Sequence, residues 1–203
     1  MKLRLITGVF VAVALMSGGA ARAAISGTQH DLRTYNGISQ TQICIFCHTP
    51  HNAATTQLAP LWNHASTTTA TFSTYTSATL NATGLGQPAG TSKACMSCHD
   101  GSVALDSFGG VTGTHNFLAG SGGNLGTDLS NDHPVSFTYD TALATADGGL
   151  VTPASASLVV AGIPLFSGKV ECASCHAVHD NTNAPFLRSS NAASALCLKC
   201  HNK

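Results

Sequence analysis

Residues 44–51 read C-I-F-C-H-T-P-H: two cysteines three apart, a histidine directly after the second, and another histidine three residues on. The core of this stretch, C-x-x-C-H, recurs at Cys95-Cys98-His99, Cys172-Cys175-His176 and Cys197-Cys200-His201. All eight cysteines of the 203-residue chain fall into these four units, and none is left over. The stretch at 172–179, C-A-S-C-H-A-V-H, also repeats the trailing histidine.

Three chemistries use two thiols beside an imidazole. Zinc takes four ligands, so eight thiolates make two sites and leave four adjacent histidines unexplained. Disulfides suit an exported chain, but C-x-x-C bridges are usually catalytic and single rather than fourfold. Covalent haem accounts for all three residues, because the thiols add across the porphyrin vinyl groups and the next histidine binds iron. The pattern therefore predicts four covalently bound haem c groups, held by Cys44, Cys47, Cys95, Cys98, Cys172, Cys175, Cys197 and Cys200. His48, His99, His176 and His201 are the expected proximal ligands.

Four irons have four further axial positions to fill. Methionine is excluded after the N-terminal segment except for Met96, which sits inside a C-x-x-C unit. Six histidines remain: His30, His51, His64, His115, His133 and His179. His51 and His179 follow proximal histidines by three residues, which on a helical turn places both on one face. Neither backbone can wrap round its own haem, so each is expected to ligate a neighbouring one. His30 and His133 come next, from matching places in a pseudo-repeat whose order is His, C-x-x-C-H-x-x-H, C-x-x-C-H. His64 and His115 are spares. Bis-histidine ligation places the irons on the low-potential side of the haem range.

The remaining composition agrees. Residues 1–23 read as a secretory signal peptide: Lys2 and Arg4, an apolar run from Leu5 to Met16, then Ala21-Arg22-Ala23. The run is too short to span a bilayer. The expected mature chain, 24–203, is a single domain with halves at about 24–125 and 126–203, secreted to the cell surface or, alternatively, kept in the periplasm. Losing three of nine basic residues while keeping nine acidic ones leaves a charge of −3, which argues against nucleic-acid binding. With one Trp, three Tyr and few Phe among abundant Ala, Gly, Ser and Thr, the chain lacks bulk for a core, and haem would supply it. Residues 65–79 read as strand or glycosylated loop, and 109–126, with seven glycines, as a connection between halves. Asp128 and Asp132 are turn residues that could touch a cation, and Trp62 is expected against a haem edge.

The phrases H-D-L (30–32), C-I-F-C-H-T-P-H-N-A (44–53), A-P-L-W-N-H (59–64), S-K-A-C-M-S-C-H-D-G (92–101), D-L-S-N-D-H-P-V-S-F (128–137), V-E-C-A-S-C-H (170–176) and L-C-L-K-C-H-N-K (196–203) span nearly the whole mature chain. In these the chain resembles the multihaem cytochromes c, and more narrowly the tetrahaem extracellular cytochromes with doubled C-x-x-C-H units. That group includes the filament-forming OmcE-type cytochromes of metal-reducing bacteria. The resemblance implies a mostly irregular, loop-rich multihaem cytochrome c fold, with short helices and little strand, organised around four stacked haems. It also implies electron transfer to redox proteins or extracellular acceptors and self-association into a filament, in which one distal histidine comes from the next subunit. His30, near the mature N-terminus, is the first candidate for that role, and His201, two residues from the end, places the last haem at one end of the molecule. No enzymatic activity is expected. The rival, a multihaem reductase of a small oxyanion, needs an iron with an open position.

Overall fold

The computed structural model describes residues 25–54, 59–114, 118, 122–154 and 159–202. The expected signal peptide and His115 lie outside them. Regular structure is sparse. The helices are α1 (Gly90–His99), α2 (Thr141–Asp147) and the single turn α3 (Cys172–Cys175). Short 3-10 turns cover Leu32–Gly37, Ala192–Ser194 and Cys197–Lys199. Among the described residues six two-residue strands pair off: β1 (Ser73–Thr74) with β2 (Asp128–Leu129) in parallel, β3 (Phe137–Thr138) with β6 (Lys169–Val170), and β4 (Val159–Val160) with β5 (Ile163–Pro164), the last two antiparallel. The loop-rich fold with short helices and little strand is as expected. None of the described helices is long and apolar enough to cross a membrane.

Local rules explain the few elements. Asp140 caps α2 by accepting a hydrogen bond from the Leu143 N–H at 2.8 Å, and Gly148 ends it in the left-handed region at φ 70°. Ala161 and Gly162, at φ 47° and 86°, make the tight turn between β4 and β5. The region 65–79 contributes only β1; Asp128 makes an Asx turn with the Ser130 N–H at 3.0 Å, which accounts for that carboxylate without a cation.

The core is divided rather than continuous. One cluster gathers Phe137, Tyr139, Leu143, Val160, Ile163, Leu165, Val170 and Leu196, with Cys175 and Cys200 against it. A second holds Leu32, Phe46 and Leu105 beside Cys98, and a third Phe72, Met96 and Leu129. Motif cysteines thus pack at the edges of the apolar clusters. The β1–β2 pairing and the packing of α1 on α3 interlock the two halves.

Candidate haem-binding site

Each motif folds into a closed turn that groups its three functional side chains. The N–H of the histidine reaches the C=O of the first cysteine at 2.9 Å in motif 1, 3.0 Å in motif 3 and 3.0 Å in motif 4, while motif 2 lies within α1. This i to i+4 bond places the thiols and the imidazole on one side.

The turn stops at the histidine in motifs 1 and 3, which corrects the expectation that a helical turn carries His51 and His179. At motif 1, Pro50 disfavours the helical conformation of Thr49 before it. At motif 3, His176 is already extended, with φ −109° and ψ 137°. A returning strand takes over in both. Thr49 N–H bonds to Leu61 C=O at 3.0 Å and Asn63 N–H to Cys47 C=O at 2.9 Å. Likewise Ala177 N–H bonds to Phe186 C=O at 2.7 Å and Arg188 N–H to Cys175 C=O at 2.9 Å. Leu61 and Phe186 share a left-handed backbone, φ 54° and 59°. Motifs 1 and 3 therefore share one hydrogen-bonding pattern with their return segments.

The return strands also orient the imidazoles. His48 Nδ1 lies 2.7 Å from the Pro60 carbonyl and His176 Nδ1 3.0 Å from that of Pro185. His99 Nδ1 reaches Gly123 O at 2.6 Å, His133 Nδ1 reaches Pro134 O at 2.8 Å, and His64 Nδ1 reaches Ala65 O at 2.8 Å. A carbonyl only accepts, so each Nδ1 carries the proton and a neutral ring keeps its lone pair on Nε2. This is the arrangement a metal-ligating histidine requires. The carbonyl acceptors were missed in the sequence; the signal was present in A-P-L-W (59–62) and A-P-F-L (184–187), one after each C-x-x-C-H-x-x-H unit.

Three pairs of imidazoles then face each other. His30 and His99 have ring centres 6.0 Å apart at 89°, His48 and His179 6.0 Å at 31°, and His133 and His201 6.4 Å at 76°. With metal–nitrogen bonds of roughly 2 Å and ring nitrogens about 1.2 Å from their ring centres, two imidazoles opposed across one metal have centres about 6.4 Å apart. Each pair joins one motif histidine to one candidate distal histidine. His30 thus lies by the second motif of the first half and His133 by the second motif of the second half, equivalent places in the two halves. Within this chain the His30 ring lies 6.0 Å from that of His99.

His51 and His64 stand apart. His51 is exposed, with its carbonyl bonded by Thr49 Oγ1 at 2.8 Å. His64 is buried between Trp62, at a ring distance of 6.3 Å, and Cys98, whose sulfur lies 3.7 Å from Nε2. Burial holds its pKa below the ordinary value. Burial, followed by His99, His176 and His179, takes His30 down to about 4. His179 is also lowered, by burial and then by His48. Neutral rings of this kind have lone pairs ready for a metal.

The thiols are arranged in chain order. Burial pushes the Cys98 thiol up, and Cys47 and Asp100 add to the shift. Cys95 donates to Cys172 across the contact between α1 and α3, which raises Cys95 and lowers Cys172. Burial raises Cys175, as does the proximity of Cys172 and Cys197, and takes Cys200 to about 11. Motif 1 thus neighbours motif 2, motif 2 neighbours motif 3, and motif 3 neighbours motif 4.

Residues 164–203, which hold motifs 3 and 4, match the family described as Doubled CXXCH motif. The match supports a multihaem c-type cytochrome. No curated protein matches the chain.

The residues of the chain fit the group its motifs indicate, covalently bound c-type haem. All eight cysteines are free. Most sit where a thiolate is disfavoured, and a thioether, which carries no charge, suits such surroundings better than a thiolate ligand of zinc does. Among the described residues no group of three or more His, Cys, Asp or Glu is placed to hold a metal ion, whereas opposed imidazole pairs suffice when a macrocycle supplies the other donors. The buried Trp62 Nε1 and His30 Nδ1 have no protein partner. An apolar cavity of about 250 Å³ lies beside motif 3, bordered by Cys172, Cys175, His176, His133, Met96 and Leu129.

Proposed function

We propose that this chain is a secreted tetrahaem cytochrome c that carries single electrons along four bis-histidine haems. Haem would supply reversible one-electron exchange at iron. The protein's part is to hold four such groups in a row, fill both axial positions of each iron and exclude competing ligands. The observation that carries the reading is the set of three imidazole pairs at 6.0, 6.0 and 6.4 Å, each uniting a motif histidine with a distal candidate.

His51 and His176 are the proposed fourth pair. Motifs 1 and 3 have the same construction, and His179 of the motif 3 segment crosses to His48. The reciprocal crossing sends His51 to His176. In a filament, the extracellular context that the family resemblance suggests, this pair is also where a neighbouring subunit would contribute, a reading supported by the 6.0 Å placement of His30 beside His99 in its own chain. A soluble periplasmic carrier is the alternative setting for the same chemistry.

The deciding experiment is a haem count by mass and pyridine haemochrome on the exported protein, with its optical and EPR spectra. Four haems, all low-spin, are expected, and His51→Ala should convert one of them to high-spin. Fewer than four haems would refute the tetrahaem assignment. A high-spin haem in the unaltered protein that binds CO would favour the rival reductase, with its open position at the iron held by His176. Electron microscopy of the secreted material separates filament from soluble carrier.

A further inference from the structure

Glu171 is the only glutamate in the chain, and it is buried, 3% exposed. It lies immediately before Cys172 and caps the single turn α3. Its Oε2 meets two hydroxyls, Ser136 Oγ at 2.8 Å and Ser92 Oγ in a short contact. Ser136 Oγ accepts from the Ala89 N–H at 2.9 Å, and Ser92 Oγ from the Cys172 N–H at 2.9 Å. Since each hydroxyl receives one proton and owns one, both send their own proton to Oε2. The direction of the network is therefore settled: backbone N–H to serine, serine to carboxylate, from both sides.

Ala89 and Gly90 open α1, and Ser92 precedes Cys95 by three residues on it. The network thus joins the start of the helix carrying motif 2 to the start of the turn carrying motif 3. Ser92, Ser136 and Glu171 are all buried, so water does not compete for these bonds. Ser174 Oγ completes the arrangement by accepting from the Glu171 N–H at 3.0 Å. Gly90 takes φ 47°, where glycine is favoured, and a Cβ there would make only an ordinary 3.5 Å contact with Oε1.

A clamp alone does not need a charge. Burying a carboxylate costs several kcal/mol unless donors compensate it, and an apolar or amide contact could hold two turns together. What a carboxylate adds is a field. Ferric haem carries one more positive charge than ferrous haem, so a fixed negative charge nearby favours the oxidised state and lowers the potential. The nearby Arg188 is exposed and donates to the Ala173 carbonyl at 2.7 Å, where solvent screens it more than the buried carboxylate.

We infer that Glu171 is a positioning residue for two haem sites at once, its buried carboxylate fixing motif 2 against motif 3 and lowering the reduction potentials of the haems attached there relative to the other two. This rests on haem attachment at those motifs, as proposed above. The test is a spectroelectrochemical titration of the haem-loaded protein and its Glu171→Gln, Glu171→Asp and Ser136→Ala variants. Glu171→Gln should raise two of the four one-electron steps and leave two in place, with the low-spin spectrum unchanged. Glu171→Asp, which keeps the charge, should restore them. Ser136→Ala keeps the carboxylate and removes a donor that offsets it, so the same two steps should fall; this arm stands even where the Gln variant does not mature. Unmoved steps in a fully loaded Gln or Ala variant, or an equal shift in all four, overturn the inference. An unaltered protein without four low-spin haems overturns the haem assignment instead.

Discussion

His179→Ala gives the sharpest test of the crossed pairing. Its ring centre lies 6.0 Å from that of His48, 131 residues earlier, although its nearest motif histidine in sequence is His176. The structure therefore predicts damage at the haem of motif 1, not that of motif 3. Alanine offers no ligand, and His48 itself stays oriented by the Pro60 carbonyl at 2.7 Å. His51 cannot reach the vacated side, because it follows His48 by three residues and the backbone cannot pass round the ring. One of four haems should turn high-spin, so about a quarter of the low-spin EPR intensity is lost and one CO binds per protein. A double-mutant cycle locates the loss. In a Cys44→Ser/Cys47→Ser background, which lacks the first haem, His179→Ala should add no high-spin signal. An additional high-spin haem in that background would refute the crossed pairing.

Three further outcomes follow from packing and burial. Phe46, 1% exposed and edge-on to Phe108 at 4.9 Å, should cost about 3–5 kcal/mol when replaced by alanine, read as a lower midpoint in guanidinium denaturation. Burial, with Cys200 and Asp147 adding to it, raises the pKa of Tyr139 to about 12, above its value of roughly 10 in an unfolded chain. The native state then holds this proton more tightly, so the contribution is present below pH ~10 and is lost as pH rises through about 12; Tyr139→Phe should flatten that alkaline limb in a pH-resolved melt. Chain expressed without haem attachment should show little fixed structure by near-UV circular dichroism, since its apolar clusters are small and separate; a cooperative melt of that material would refute the dependence on haem.

The C-x-x-C-H units were legible because covalent haem attachment demands such residues in a fixed local order, and local order survives in a linear string. His30 and His133 were legible as equivalent positions for the same reason, and the structure sets them against His99 and His201. Partner identity was less accessible, because His48 and His179 meet through a fold with almost no regular elements to project from. No helical turn continues past Thr49-Pro50 or His176, because a returning segment competes better for the backbone. Glu171 drew no attention at all. A lone acidic residue before a cysteine looks ordinary until burial and the two serines around it are known.

The His48–His179 pair also bears on how the chain comes to be finished. Ligation there would clasp positions 131 residues apart, and a cross-link closing so long a loop removes about 5 kcal/mol of unfolded-chain entropy. The clasp cannot fasten until the segment after motif 3 has emerged, so an N-terminal haem would wait, half-coordinated, for a late part of the polypeptide. Maturation would then have a natural checkpoint: a truncated or stalled chain would lack His179, and completing the C-terminal region would supply it.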